Sequence, residues 1–104
     1  MKTYYISVPM LGREEKDILQ DIAQAEIALK EKISKEQIIN PYDIAKGVES
    51  ASQNPSYGAY LGADIGHIVD HIDTLYFCRG WEDSKGCMLE YHTARIYGKE
   101  MIFG

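Results

Sequence analysis

The chain is poor in cysteine: Cys78 and Cys87 are the only two in 104 residues. Two are too few for a disulfide framework, and their spacing matches no common zinc pattern. Reduced thiols and a cytoplasmic location are therefore expected. No apolar run approaches the roughly 20 residues that a membrane span needs. The opening Met1-Lys2-Thr3-Tyr4-Tyr5-Ile6 is too short in its apolar part for a signal peptide and reads as a first strand. Positive charge is also scarce. Eleven Lys and Arg face sixteen Asp and Glu, a net charge of −5. Lys30, Lys32 and Lys35 are interleaved with Glu31 and Glu36, so no basic patch is offered to a nucleic-acid polymer. Repeats and low-complexity segments are absent.

What is present is the composition of a folded globule. The apolar fraction is 45%, with eight tyrosines, which argues against disorder. The length suits a single domain, 1–104, with one core. Residues 3–8 are rich in β-branched and aromatic side chains and read as strand one, broken by Pro9-Met10-Leu11-Gly12. From Glu14 to about Ile33, the apolar positions Ile18, Ile22, Ala25, Leu29 and Ile33 recur at helical spacing. Acidic residues gather at the start of this segment and lysines at its end, as the helix dipole favours. Gln37 to Asn40 reads as a short second strand ended by Pro41. The stretch from Tyr42 to Tyr57 carries Gly47, then Ser50, Ser52, Gln53, Asn54, Pro55 and Ser56. It reads as at most a short helical turn followed by a loop, either a lid or a plain connection. Gly58 to Ile72 is helical, with Leu61, Ile65, Ile68 and Ile72 as its buried stripe. Thr74 to Cys78 is strand three. Lys85 to Tyr97 is a helix stopped by Gly98, and Lys99 to Phe103 is a last strand. This order predicts an α/β fold: a small flavodoxin- or Rossmann-like parallel sheet of four or five strands, with helices on both faces.

The most telling segment is Gly80-Trp81-Glu82-Asp83-Ser84-Lys85-Gly86-Cys87-Met88-Leu89-Glu90. It leaves a strand and enters a helix, which is where open α/β sheets place their ligands. A hydroxyl, a glycine and backbone amides at a helix start suit an anion such as phosphate. Glu90 then falls about one and a half turns into the helix.

Taken together, Tyr5-Ile6-Ser7-Val8-Pro9-Met10-Leu11-Gly12, Asn40-Pro41, Tyr60-Leu61-Gly62-Ala63-Asp64-Ile65 and the Gly80–Glu90 segment resemble the nucleoside 2-deoxyribosyltransferase-like superfamily, in particular its small bacterial and phage members. The resemblance implies that Glu90 is a nucleophile attacking the anomeric carbon of a deoxyribosyl group. It implies Asp64 as the acid that protonates the leaving base, and Tyr5 as a residue orienting the nucleophile. Ser7 and Gly12 would line the mouth of the site, with Ser84 and Gly86 holding the substrate's 5′ end. Serine at position 84 is closer to the branch that hydrolyses deoxynucleoside 5′-monophosphates than to the free-nucleoside transferases, many of which place a carboxylate there. The expected partner is then a small-molecule nucleoside or nucleotide, with no cofactor, no metal and no membrane. A homodimer or larger homo-oligomer is expected. Val8 departs from the pattern, because the family usually has a small residue there, and a bulkier one is expected to hold a ligand further from the backbone.

Plainer readings stand beside these. Glu90 and Asp64 are also compatible with solvated helix acids, Tyr5 with a core ring, and Ser84 with a simple N-cap. Trp81 is either a base-stacking residue of the site or a packing or subunit-interface residue. His67 and His71 share one helix face, but Ile68 replaces the glutamate of the zinc signature, so a surface or interface pair is the better reading. His92 reads as structural. Cys87 lies near a helix start, where a thiolate is favoured. Two functions follow: an N-glycosidase or deoxyribosyltransferase working through a glutamyl–sugar intermediate, or a non-catalytic nucleotide-binding or phage accessory module on the same fold.

Overall fold

The computed structural model describes residues 2–31, 33–34 and 37–104. Among these residues four strands and four helices follow in the order β1 (Tyr4–Ser7), α1 (Glu15–Lys30), β2 (Ile38–Ile39), α2 (Pro41–Ala51), α3 (Tyr57–His71), β3 (Thr74–Phe77), α4 (Lys85–Ile96) and β4 (Glu100–Phe103). A single 3-10 turn, Trp81–Asp83, precedes α4. The sheet order is β2-β1-β3-β4 and every pairing is parallel. The fold is thus α/β with four strands.

Period-two alternation divides the core in two. Ile6, Val8, Ile38 and Cys78 point to one face of the sheet, where α1 lays down Ile18, Ile22, Ala25 and Leu29. Tyr5, Leu75 and Phe77 point to the other, against Ile68 and Ile72 of the α3 segment and Ala94 of α4. Helix α1 therefore needs no side-chain cap at Glu14, because its apolar stripe supplies the stability that propensity alone does not. It ends at Lys30, earlier than the spacing suggests. Ile33 packs on the same core from outside the helix, and Lys32 and Lys35 lie outside the described residues.

The expected short turn is instead a helix, α2, which runs past Gly47 to Ala51, and the loop expected after Gly47 is confined to residues 52–56. The cause lies at the start of α2. The Asn40 side chain accepts from Tyr42 N (2.9 Å) and Asp43 N (3.2 Å), and Asp43 Oδ2 accepts from Asn40 N (3.1 Å). With Pro41 in the first turn, this is a full capping box. A glycine in mid-helix costs about 1 kcal/mol, which that cap and the packing of Tyr42 and Ile44 onto the two cores offset. Helix α4 stops where Gly98 takes a left-handed φ of 67°. There Lys99 N donates to Ala94 O (2.8 Å) and Gly98 N to Arg95 O (3.3 Å), a Schellman closure.

Candidate active site

Chain order runs outward from β1 in both directions, first to β2 and then to β3. Between β1 and β3 the connections therefore diverge, and the carboxyl ends of these strands border a crevice. The turns that follow the two strands meet there: a Cβ on Gly80, at φ 86°, would sit 3.8 Å from Pro9 Cγ.

Glu90 lies on this side of the sheet. Among the described residues it is the one charged residue that the fold buries, with 4% of its surface exposed. Tyr5 Oη donates to Glu90 Oε2 (2.9 Å) and Ser7 Oγ donates to Oε1 (2.6 Å). Both donors come from alternate positions of β1, so a single strand presents them to one carboxylate. Tyr5 and Ser7 are themselves fully buried. Burial pushes the Glu90 carboxyl up to about 7, partly opposed by the Ser7 and Tyr5 hydroxyls, and the Asp64 charge adds to the rise. Asp64, on α3, is half-buried, and burial raises it to about 7 as well. The Glu90 and Asp64 charges both reach Tyr5, whose phenol is held well above its usual range, mainly by burial. Tyr5 and Glu90 are thus in direct contact, and the Asp64 charge acts on both.

The Asp64 charge raises Glu90, so the two carboxyls do not ionise together readily. Glu90 has two hydroxyl donors that favour its anion, whereas only burial acts on Asp64. Both carboxyls stand near 7, so around neutral pH the pair readily holds one proton. One ionised and one protonated carboxyl suit a nucleophile next to an acid.

A family model described as a domain of unknown function (DUF4406) matches residues 2–103. The chain belongs to the DUF4406 family. No curated protein and no solved structure matches it.

In this DUF4406 chain the remaining candidate residues fall as follows. Ser84 is the N-cap of α4, its Oγ accepting from Cys87 N (3.3 Å). Gly86 sits in the first turn of α4, where a Cβ would come 3.4 Å from Tyr57 Oη and 3.9 Å from Leu61 Cδ1. Ser7 does not line a mouth; it is 0% exposed and bound to Glu90. Gly12 serves its turn through a φ of 77°, with no neighbour within 4 Å of a Cβ there. Trp81 stands in an aromatic cluster, its ring 4.9 Å from Tyr91 and 5.3 Å from both Phe77 and Phe103. Val8 packs into the α1-side core, so its bulk points away from Glu90.

His67 and His71 lie with ring centroids 4.9 Å apart. Among the described residues no group of three or more His, Cys, Asp and Glu is placed to hold a metal ion. The Cys87 thiol is not a favoured thiolate. It is 2% exposed, and burial pushes it up despite the Ser7 and Ser84 hydroxyls beside it. No helix among the described residues is long and apolar enough to cross a membrane.

Tyr57 is a residue that sequence reading passed over. It is 56% exposed, yet its hydroxyl overhangs Gly86. An aromatic at the start of α3 carries no motif, and nothing in the sequence ties it to α4.

Proposed function

We propose that this protein cleaves the N-glycosidic bond of a 2′-deoxynucleoside or its 5′-monophosphate through a covalent Glu90–sugar intermediate. The observation that carries the reading is a buried carboxylate gripped at both oxygens, by Tyr5 at 2.9 Å and Ser7 at 2.6 Å, with the Asp64 carboxyl coupled to it. Such an arrangement costs stability, and a structural role would be met more cheaply by an apolar side chain.

In the first step a free lone pair of Glu90 attacks C1′ and forms a C–O bond. The C1′–N bond breaks and its electron pair stays on the base, whose ring nitrogen takes the Asp64 proton. In the second step water, or a second base, attacks C1′. The ester bond to Glu90 breaks, Glu90 leaves as a carboxylate, and Asp64 recovers a proton from the attacking group, as in retaining glycosidases. The hydroxyls of Tyr5 and Ser7 hold Glu90 in line and then stabilise it as it departs. The 5′ end of the substrate falls to Ser84 and the first amides of α4, where a phosphate is favoured.

Incubation with each deoxynucleoside and each 5′-monophosphate, following release of free base, tests the reading. Glu90→Ala is expected to abolish release. Undiminished turnover in that variant removes the proposed nucleophile.

A further inference from the structure

Glu90 must be reached before it can react, and the resting fold does not allow it. The residue is 4% exposed, and its partners Tyr5 and Ser7 are 0% exposed. The way in from the carboxyl ends of the strands passes between the first turns of α3 and α4. There Tyr57 Oη and Leu61 Cδ1 lie 3.4 and 3.9 Å from where a Cβ on Gly86 would stand. Gly86 is one helical turn before Glu90, on the same face of α4.

Helix α3 is weakly held at this end. The one residue that it buries is Ile68, in its last turn. Residues 51–54 and 56–59, which lead into it, are exposed. Asn54 among them is the one described non-glycine residue at a positive φ, 50°. Gly58, Gly62 and Gly66 recur along the helix, and each weakens it about fivefold relative to alanine. No packing asks for them. A Cβ would meet nothing within 4 Å at Gly62 or Gly66, and at Gly58 it would meet Ser56 Oγ at 3.9 Å. The start is held by a cap, Ala59 N donating to Ser56 Oγ at 3.1 Å, and by a surface bond from Tyr60 Oη to Glu49 Oε2 at 3.0 Å. Segments with so little buried contact open locally while the core stays folded. Asp64 rides on this segment, and its charge acts on Glu90.

We propose that the first two turns of α3, residues 57–64, form a cover that opens by local unwinding, admits a ligand to Glu90 and returns Asp64 towards it on closing. Strand β1 and helix α4 keep Tyr5, Ser7 and Glu90 in place throughout. The role of the cover in catalysis rests on the reading of Glu90 as nucleophile. Its motion does not, and is measurable without turnover.

Glu90→Cys places a thiol at the covered position, and its alkylation by iodoacetamide, located by peptide mass, reads how often the cover is open. Labelling is expected to be at least about tenfold slower than that of a free thiol. In this background Gly62→Ala is expected to slow labelling about fivefold, and Ser56→Ala, which removes the cap, to speed it about fivefold. Gly47→Ala and Asn40→Ala change the stability of α2 in the same two senses and are expected to leave labelling unchanged. Hydrogen exchange on the unaltered chain is a second reading, with amides of residues 61–64 expected to exchange at least about tenfold faster than those of residues 90–94. Labelling as fast as a free thiol overturns the cover. So does labelling that ignores Gly62→Ala and Ser56→Ala, or that follows the α2 variants as closely, or exchange at equal rates in the two segments. If labelling follows the α3 variants alone while the unaltered chain releases no base from any deoxynucleoside or its 5′-monophosphate, the cover stands and the glycosidase reading falls.

Discussion

At the scale of residues, Glu90 makes stability and activity pull against each other. Its carboxyl stands near 7 in the folded protein, against an ordinary 4.5. A carboxyl raised by folding holds its proton more tightly in the native state. Below about 4.5 both states are protonated and the burial costs nothing. As pH climbs towards 7 the unfolded chain ionises first, and stability falls; above 7 the loss is complete at about 3 kcal/mol. Asp64 acts in the same direction. Glu90→Gln keeps the shape and removes the charge. It is expected to lower base release at least about a thousandfold while raising the melting temperature at pH 8, with little change at pH 4. Thermal melts at the two pH values read the sign. Tyr5→Phe removes one of the two donors, which raises the Glu90 carboxyl further. The acidic limb of the pH–rate profile is then expected to move up by about one pH unit. A limb that stays in place would assign it to another group.

Elements are stabilised here by caps as much as by stripes. Asn40→Ala strips α2 of its capping box and is expected to cost about 1 kcal/mol in a denaturant melt. Gly47, in mid-helix with nothing within 4 Å of a Cβ, is expected to gain about 0.5–1 kcal/mol as Ala. Gly98→Ala is expected to do the reverse, because its φ of 67° suits glycine. These positions also explain what the sequence disclosed. The stripe of α1 and the stop of α4 at Gly98 were legible, since each is local and periodic. Helix α2 was misread because Gly47 and the polar residues after it were weighed over the Asn40–Asp43 box at its head. The bonds from Tyr5 and Ser7 to Glu90 join the first strand to the last helix. No local pattern encodes a contact across that distance; a motif match suggested Tyr5 as an orienting residue but set Ser7 at the mouth rather than on the carboxylate.

For the molecule as a whole, the question that separates catalysis from mere binding is what a ligand does when Glu90 cannot attack. The crevice between β1 and β3 and the first turn of α4 belong to the folded state alone, so a ligand held there stabilises folding by mass action. In Glu90→Gln the buried charge is gone while Ser84, Gly86 and Asp64 remain. A deoxynucleoside 5′-monophosphate at one hundred times its dissociation constant contributes about 2.7 kcal/mol. In a domain of this size that corresponds to a rise in Tm of roughly 10–20 °C. On the proposed reaction the unaltered chain is expected to consume the same nucleotide, so its stabilisation should fade as free base accumulates. A shift that persists in both proteins with no base released selects a binding module. A shift in neither places the nucleotide elsewhere than beside Glu90, and leaves the paired carboxyls without a ligand to act on.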